Sequence, residues 1–473
     1  MIDYAPYAGL KIKPPGEPPE PAHGAPHVLV CAPTRTGKTR VILAPAAVLH
    51  PGPVVACSSK EDLAKLILTR RGLGPTGVID LRPDKTLEWP AEVRQLVTDP
   101  TSSITTAHEA LTVAETMLAT SGVGFGGVSA GSSVGAGGLW ELNAAPMLAA
   151  LLYAAGPEGD GGGMPWVLAA VQNFGDGMGL DEEADQAAAM IVTNVPSWRR
   201  AYVLCPHPLL AEPLLAVLQM EGRLRDSLKL TVTKAVAPWV RLGLSAAAAE
   251  APDALEEMRV ESFDLDMLDD PNATLFVLAP NTGTAAGAAV ALIDSIIRRF
   301  RQKTANDNLE YRLLLELDEV CNSCPLPNLL TYVGESAGLG VNILATVQAS
   351  SHFDVIYGPA YATALRDIFP GTLIMYGAKE KYLLEQAAHW AGLTNRRTDS
   401  TDSTTGARTR ASAYGQMLEW QELLPRNRKT AQLLRIDPSG EQEGSANEPV
   451  YLPSWDEFLN LHQQAIRQVA GLR

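Results

Sequence analysis

The stretch HVLVCAPTRTGKT, residues 27–39, decides the fold. Its first five residues form a short apolar run of the kind that predicts a buried strand, and GKT at 37–39 opens a helical pattern that continues to Val48. The residues between them match the phosphate-loop motif G-x-x-x-x-G-K-[ST], except that Ala32 stands where the first glycine usually stands. An ordinary strand-to-helix turn is the alternative, but strand, loop and helix follow one another in the order that the motif requires.

A loop of this kind binds phosphate through backbone N–H groups and the N-terminus of the helix that follows. We expect Lys38 to reach the β- and γ-phosphates of a nucleotide and the Thr39 hydroxyl to ligate Mg²⁺. Ala32 loses only the freedom of a glycine to adopt positive φ. The predicted nucleotide-binding residues are Ala32, Pro33, Thr34, Arg35, Thr36, Gly37, Lys38 and Thr39.

A second motif, LLLELDE at 313–319, is an apolar strand that ends in two carboxylates. Asp318 is expected to hold Mg²⁺ through water, and Glu319 to polarise an attacking water, which favours hydrolysis over simple binding. Two solvated acids at a strand end are the alternative. The next strand, NILATVQ at 342–348, ends in Gln348, which would sense the γ-phosphate from the same sheet edge or be an ordinary surface residue.

Composition limits the class of protein. The chain has 473 residues, of which 46% are hydrophobic and 19% charged, so it is neither disordered nor a disulfide scaffold. A formal charge of −15 argues against a small free-standing nucleic-acid binder. The longest apolar stretch, 142–155, contains Asn143 and Pro146 and is too short to span a bilayer. Five scattered cysteines fit a reducing compartment, so we expect a soluble, cytoplasmic, multi-domain protein.

Apolar runs that alternate with helical patterns predict an α/β fold with a parallel sheet. After residue 90 a long helical stretch interrupts this alternation of strands and helices, which resumes at Thr274. The predicted units are an irregular segment at 1–26, the first part of an α/β domain that contains the phosphate loop at 27–90, an inserted all-helical domain at 91–271, the second part of the α/β domain at 272–440, and a C-terminal tail with a helix at 441–473. A Ser/Thr/Arg-rich stretch at 396–412 predicts a mobile loop.

Two further features carry weaker signals. Cys321 and Cys324 form a lone CxxC without a second pair at zinc spacing, so structural cysteines are favoured over a metal site. The basic run RRFRQK at 298–303 ends a helical pattern. Cations at this place stabilise the C-terminus of a helix, and this role is favoured over a patch that binds the DNA backbone.

The order of these parts resembles the TraG/TraD-type coupling ATPases of type IV secretion and conjugation. The resemblance covers about residues 27–440. It is carried by APTRTGKT, PVVACSSKEDL at 53–63, Leu139-Trp140-Glu141 before APMLAALLYAA, LLLELDEV, GLGVNILATVQASSHFDVIYG at 338–358, and TLIMYGAKEKYLLEQAAHWAGL at 372–393.

The resemblance implies a RecA-like P-loop NTPase domain with an inserted all-α domain, working as a homo-hexamer. It also implies that ATP hydrolysis with Mg²⁺ drives DNA, single-stranded rather than double-stranded, with its bound relaxase or another secreted protein toward a type IV channel. In this family Lys38, Thr39, Asp318, Glu319 and Gln348 fall on nucleotide-site positions. Two other readings stay open: an FtsK-like double-stranded DNA translocase, and a non-hydrolysing nucleotide-dependent receptor for channel substrates.

The sequence departs from the family pattern in three respects. Ala32 replaces the first glycine of the phosphate loop. The segment GESAGLG at 334–340 lacks the basic residue that often precedes the strand ending in Gln348, so Arg366 or Arg312 is expected to act in trans. The family usually carries an N-terminal membrane anchor. Here either a separate protein would supply it, recruiting the chain to the inner face of the membrane, or the chain would act from the cytoplasm.

Overall fold

The computed structural model describes residues 5–14, 17–23, 25–68, 74–82, 89–121, 136–175, 194–249, 261–280, 286–401, 408–435 and 447–469. Its strands are β1 Tyr7–Lys11, β2 Pro21–His23, β3 Val28–Cys31, β4 Val54–Ser58, β5 Thr76–Asp80, β6 Arg94–Val97, β7 Glu261–Ser262, β8 Thr274–Leu278, β9 Leu313–Leu317, β10 Val341–Val347, β11 Gly371–Met375, β12 Leu393–Thr401, β13 Arg408–Gln416, β14 Thr430–Arg435 and β15 Asn447–Tyr451.

The described helices begin with α1, which continues a π-helical turn at Thr39–Leu43. They are α1 Ala44–Leu49, α2 Asp62–Ile67, α3 Ala107–Ala119, α4 Ala136–Ala155, α5 Gly163–Gln172, α6 Trp198–Leu204, α7 Pro208–Leu218, α8 Gly222–Ala249, α9 Ala286–Ala305, α10 Val320–Ser323, α11 Leu329–Glu335, α12 His352–Tyr357, α13 Pro359–Ile368, α14 Lys381–Trp390 and α15 Trp455–Val469, with 3-10 helices at Leu265–Asp269, Ser336–Leu339 and Trp420–Leu423. None of the helices in the described ranges is long and apolar enough to cross a membrane.

One large mixed sheet organises the chain. Its order is β2-β1-β15-β14-β11-β3-β10-β9-β4-β8-β5-β6-β7, and the strands from β11 to β7 run parallel, whereas β14, β15, β1 and β2 add antiparallel strands at one side. Strands β3, β4, β8, β9, β10 and β11 are buried along their whole length. Continuous burial is typical of parallel strands covered on both faces, and the predicted α/β class is confirmed.

The two faces of the sheet contribute to two separate hydrophobic cores. Along β3, Leu29 and Cys31 pack with the helical insertion and α9, while Val28 and Val30 pack with α1 and α2 on the opposite face. This alternation follows from the two-residue period of a strand. The sheet is therefore the layer that joins the inserted helices to the phosphate-loop helix.

The inserted helices α3 to α8 pack around α4, whose second half is almost completely buried. Helix α3 begins at a capping box in which Thr106 and Glu109 bond each other's backbone N–H groups. The helical insertion is confirmed, and its helices lie between residues 107 and 249. At the two ends of the predicted range 91–271, the short strands β6 and β7 extend the main sheet instead.

The terminal segments differ from their predicted structure. Residues 1–26 are not simply irregular, since β1 and β2 pair with each other and β1 also pairs with β15. Pro and Gly hide these strands from a pattern search, but an edge strand tolerates proline at its first residue, as at Pro21. Through β15 the segment 441–473 also joins the sheet, and its final helix begins at the capping box of Ser454 and Glu457.

The predicted mobile loop at 396–412 is wrong over most of its length. Residues 393–401 and 408–416 form an antiparallel hairpin, β12 and β13, in a two-stranded sheet of its own. The stretch lacks the alternation of apolar and polar residues that marks a half-buried strand, because its strands pair mainly with each other. Its threonines are nevertheless β-branched and favour extended backbone.

Candidate nucleotide-binding site

The phosphate loop connects the carboxyl end of β3 to the helical turn at Thr39. Arg35 and Gly37 adopt left-handed backbone conformations, with φ of 62° and 88°, and Thr36 donates its hydroxyl to the carbonyl of Pro33 at 2.7 Å. Ala32 is fully buried and is not among the described residues with positive φ. Its N–H bonds the carbonyl of Val347 at 2.9 Å, so alanine suits the position that a glycine usually occupies.

The loop has the donors that a phosphate group requires. Within the part of the chain that the structure describes, the consecutive backbone N–H groups of residues 34–39 donate no hydrogen bond, and Thr34, Arg35 and Gly37 are exposed. Consecutive free N–H groups at the start of a helix form a concave anion-binding surface. The residues present therefore fit a bound phosphate.

Lys38 stands at the start of the helix and faces the acids that follow β9. Its ammonium group forms an ion pair with Glu319, and the two side chains are only 11% and 16% exposed. Burial lowers the pKa of Lys38, an effect opposed by the nearby charge of Asp318 and supported by that of Lys60. A phosphate group at the loop would supply the negative charge that this partly desolvated cation favours.

Asp318 is the best-anchored carboxylate at the sheet edge. Its Oδ2 accepts a hydrogen bond from the Ser58 hydroxyl at 3.0 Å, and its Oδ1 accepts one from the Thr346 hydroxyl at 3.2 Å. The backbone N–H of Asp318 bonds the carbonyl of Cys57 at 2.9 Å, which continues the pairing of β4 with β9. Three neighbouring strands thus hold one side chain in a single position.

Glu319 begins helix α10 in a left-handed conformation, with φ 55° and ψ 57°. A residue other than glycine pays roughly 1–2 kcal/mol for this backbone. The Thr346 hydroxyl accepts the N–H of Glu319 at 2.9 Å, and the Ser323 hydroxyl donates to the carbonyl of Asp318 at 2.6 Å. These bonds stabilise the sharp turn that points Glu319 to Lys38.

The two predicted Mg²⁺ ligands lie at this edge. Thr39 is half-buried in the first turn after Lys38, and Asp318 is held as described above. Hydroxyl, carboxylate and water oxygens are the ligands that Mg²⁺ prefers, usually with only one or two carboxylates from the protein. The donor set of Thr39 and Asp318 therefore fits Mg²⁺ bound together with a nucleotide.

Strand β10 lies between β3 and β9, so its carboxyl end stands between the phosphate loop and the two acids. Gln348 follows this strand directly and is exposed. Ser350 is fixed two residues later, because its N–H and hydroxyl both donate to the buried carboxylate of Glu380, at 2.7 and 2.6 Å. The structure thus brings Gln348 to the same edge as Lys38 and Asp318.

The family model described as the TraM recognition site of TraD and TraG matches residues 312–430. This range contains β9 with its two acids, β10 and the hairpin of β12 and β13. Residues 312–430 are thus similar to this region of TraD and TraG. The resemblance predicted from the motifs is confirmed by this match, whereas no curated protein sequence matches the chain.

Solved structures show the same fold. The unbound conjugative coupling protein TrwBΔN70 is 16% identical, with a TM-score of 0.55 over 93% of this chain and 88% of that one. TrwB with the ATP analogue ADPNP is 15% identical, with a TM-score of 0.51 over 91% and 86%. TrwB with ADP and Mg²⁺ is 15% identical, with a TM-score of 0.52 over 91% and 85%. The predicted RecA-like P-loop fold with an added helical domain is confirmed.

Arg366, on α13, forms ion-paired hydrogen bonds to both carboxylate oxygens of Asp354, at 2.8 and 3.1 Å. It also donates to the carbonyl of Ser350 at 3.0 Å and is only 12% exposed. Asp354 raises the pKa of Arg366. Within its own chain, Arg366 therefore braces the segment that follows Gln348.

Arg312 lies at the opposite end of the sheet. It precedes β9 and donates to the side-chain oxygen of Asn342 at 2.7 Å, at the start of β10. Parallel strands carry their amino ends on one edge and their carboxyl ends on the other. Arg312 is thus a strand length away from the Asp318 of its own chain.

The two weaker sequence features lie outside the nucleotide edge. Cys321 and Cys324 are buried, and burial raises the pKa of both thiols, that of Cys321 to about 12. The described residues contain no cluster of three or more side chains of the types that bind transition metals. The cations of the basic run pair with acids of the same chain: Arg298 with Asp294, Arg299 with Asp266 and Asp269, Arg301 with Glu335, and Lys303 with Asp269.

Sequence reasoning identified the acids but missed the hydroxyls that hold them. Ser58 and Thr346 each stand at a strand end, where a polar residue is ordinary. Their role in holding Asp318 becomes visible only when β4 and β10 are seen to lie on either side of β9. A search for hydroxyl residues at the ends of all predicted parallel strands would have selected both.

Proposed function

We propose that this chain is an ATP-hydrolysing coupling protein that recruits DNA with its bound relaxase and drives it toward a type IV secretion or conjugation channel. The observation that carries the proposal is the meeting of Lys38 with Asp318 and Glu319 at one sheet edge. Those acids belong to the region that matches the TraD and TraG model.

The chain's own residues supply the parts of phosphoryl transfer. The N–H groups of residues 34–39 and the ammonium of Lys38 bind the phosphates, and Thr39 and Asp318 would hold Mg²⁺. Bound Mg²⁺ would neutralise charge that develops on the phosphate oxygens. Ser58 and Thr346 keep Asp318 in place, so the site needs little rearrangement to bind nucleotide. Structures of TrwB with ADPNP and with ADP and Mg²⁺ support this assignment.

Glu319 acts as the base. Its carboxylate pairs with Lys38 in the structure described here. Phosphate oxygens carry more negative charge than a single carboxylate and compete for Lys38, which frees Glu319 to orient an attacking water and accept its proton. Gln348, exposed between the two motifs, contacts the γ-phosphate and reports its presence to the segment braced by Arg366.

The remaining elements of the proposal concern assembly. A homo-hexameric ring would place an arginine of one subunit near the nucleotide of the next, and a membrane-anchoring partner would hold the ring at the channel. The proposed partner proteins include a relaxase. The matched region is named for recognition of TraM in TraD and TraG, which supports binding of a partner protein at this region.

ATPase measurements with single-stranded DNA, double-stranded DNA and no DNA, run beside a mass determination of the assembly, test the proposal. We expect turnover that single-stranded DNA stimulates. Lys38→Ala should abolish turnover, Glu319→Gln should bind ATP without hydrolysing it, and Lys65→Ala, on the exposed side of α2, should leave turnover unchanged.

Other outcomes identify the alternatives. Stimulation by double-stranded DNA alone would indicate an FtsK-like translocase. ATP binding without turnover under all conditions would indicate a nucleotide-dependent receptor. Full turnover in Glu319→Gln would remove Glu319 as the base.

A further inference from the structure

Glu380 is a buried acid between two exposed lysines. It is only 5% exposed, whereas Lys379 and Lys381 on either side of it lie on the surface. An acid is rarely buried unless its charge is paired or hydrogen-bonded. Neither the phosphate binding nor the chemistry assigned above uses this carboxylate directly, so its burial requires another explanation.

Glu380 reaches across the edge of the sheet at which the phosphate loop begins. It follows β11, whereas the residue that it bonds, Ser350, follows β10, and β3 lies between these two strands. Neighbouring strands lie about 4.8 Å apart, so the contact bridges about 10 Å of the sheet edge. Burial raises the pKa of the Cys31 thiol at the end of β3, and the nearby charge of Glu380 raises it further. The carboxylate therefore lies beside the residue that precedes the phosphate loop.

Ser350 is held at each of its polar groups. Its N–H and its hydroxyl donate to the two carboxylate oxygens of Glu380, at 2.7 and 2.6 Å. Its carbonyl accepts from the guanidinium of Arg366 at 3.0 Å and from the N–H of Phe353 at 3.1 Å. Hydrogen bonds to a charged group are roughly twice as strong as those between neutral groups. Glu380 and Arg366 together therefore restrain the backbone at Ser350.

This restraint bears on Gln348, which lies two residues earlier in the chain. Gln348 is exposed, and within the described residues its side-chain amide makes no hydrogen bond to the protein. Its place is therefore set by the backbone on its two sides. Strand β10 pairs with β3 as far as Val347, and the first described side chain that anchors the chain beyond this point is that of Ser350.

The same carboxylate stands at the start of α14. Glu380 occupies the N-cap position of this helix, but its side chain makes no capping hydrogen bond. The free N–H groups and the dipole at a helix N-terminus would favour an acid there. Both oxygens bond Ser350 instead, so the side chain joins two segments of the sheet edge rather than capping the helix that it begins.

We propose that Glu380 is a positioning residue of the nucleotide site, which holds Gln348 where it contacts the γ-phosphate of ATP. The inference rests on the proposed function, since it names the residue that sets this contact. Glu380 itself touches neither nucleotide nor Mg²⁺ in this role. Because ADP lacks the γ-phosphate, loss of Glu380 should affect the binding of ATP and of ADP differently.

The test measures the affinity of the full chain for ADPNP and for ADP, each with Mg²⁺, by calorimetry. Glu380→Gln keeps the size of the side chain but replaces one acceptor oxygen with an amide group, so it can no longer accept both bonds from Ser350. A hydrogen bond to a charged group such as the γ-phosphate contributes about tenfold or more to affinity. We expect ADPNP to bind about tenfold more weakly to this variant and ADP to bind with unchanged affinity.

The matched control is the same substitution at an exposed acid of the same helix. Glu385 lies on α14 and pairs with Lys381 at the surface. Glu385→Gln removes the same charge from the chain without touching Ser350, and it should keep both affinities. A general effect of charge on nucleotide binding would appear in this control as well.

Two further variants separate positioning from a general loss of structure. Gln348→Ala should show the same selective loss of ADPNP binding. Adding Glu380→Gln to it should weaken binding little further, because the two residues act through one contact. Ser350→Ala keeps the carboxylate and removes only the hydroxyl bond, so it should give a smaller loss with the same selectivity. It supplies the measurement if Glu380→Gln does not fold.

The outcomes separate this inference from the proposed function. Unchanged ADPNP affinity in Glu380→Gln, equal weakening of both nucleotides by it, or an undiminished further loss in the Gln348→Ala background would overturn the positioning role and leave the proposed function intact. A wild-type chain that binds ADPNP and ADP equally would overturn the γ-phosphate contact of Gln348 together with the role of Glu380. A wild-type chain that binds neither nucleotide would overturn the proposed function as well.

Discussion

Replacing Thr346 with valine tests the architecture of the nucleotide site at a residue that touches neither phosphate nor metal. Thr346 is fully buried on β10. Its hydroxyl accepts the N–H of Glu319 at 2.9 Å and donates to the Oδ1 of Asp318 at 3.2 Å. Valine has nearly the same shape, so the substitution removes two hydrogen bonds and leaves the packing intact.

The magnitude follows from those two bonds. A donor left unsatisfied in a buried site costs about 1–3 kcal/mol, and a hydrogen bond to a charged group contributes about 1.5–3 kcal/mol. The bond to Asp318 is at the long end of the normal range, which places its contribution at the lower limit. We expect the free energy of unfolding to fall by about 3 kcal/mol.

The functional loss should exceed the loss of stability. Without Thr346, Asp318 keeps only the Ser58 hydroxyl among its described side-chain donors, and the left-handed turn at Glu319 loses its tether. Loss of a residue that orients metal ligands typically reduces metal affinity or activity by about 10–100-fold. We expect ATP turnover to fall by that factor and the Mg²⁺ concentration for half-maximal rate to rise.

Steady-state ATPase assays across a Mg²⁺ titration, with urea unfolding in parallel, measure both effects. Thr372→Val is the matched control, because Thr372 is a buried threonine near the amino end of β11, which β3 separates from β10. Its turnover and its Mg²⁺ dependence should be those of the wild type. Wild-type turnover in Thr346→Val would refute the role assigned to this hydroxyl.

Three further substitutions examine other parts of the molecule. Gly37→Ala should reduce nucleotide affinity measured by calorimetry. An alanine Cβ would fit, since the nearest atom is 3.9 Å away, but a φ of 88° costs an alanine about 1–2 kcal/mol. Unchanged affinity would contradict a role for this left-handed backbone. Arg366→Ala should lower turnover. Lys38→Ala subunits keep Arg366, so in mixtures of the two variants the loss should persist if Arg366 braces its own chain and should be relieved if Arg366 acts on the nucleotide of a neighbouring subunit. Tyr332→Phe should lower the free energy of unfolding by about 1–3 kcal/mol in urea titrations, because the Tyr332 hydroxyl donates to the buried Asp294. An unchanged unfolding midpoint would show that Asp294 does not need this donor.

The predictability of the fold varied with the range of the interactions involved. The buried parallel strands were predictable because they are short runs of mainly apolar residues, as at 313–317 and 342–347. The hairpin at 393–416 and the strands near the N-terminus were not, since their residues are polar or rich in proline. Their extended conformation depends on pairing partners rather than on a local pattern of burial.

The candidate site shows the same division. Lys38, Asp318 and Glu319 were identified from motifs, because phosphate and Mg²⁺ chemistry needs those residue types at fixed spacing. The roles of Thr346 and Ser58 were not predicted, because the partner of a hydroxyl at a strand end is not known until the strand beside it is known. The ion pairs of the basic run 298–303 likewise join residues that are distant in sequence.

The sequence by itself determined the phosphate loop, the apolar strands and the pair of acids, because each depends on residues adjacent in the chain. Only the tertiary structure decided that β10 lies between β3 and β9, that its Thr346 holds Asp318 and Glu319, and that the N- and C-terminal strands complete the sheet. The physical reason is that strand pairing joins backbone groups, which are nearly the same in every residue, so the choice of neighbour depends on the packing of the whole core.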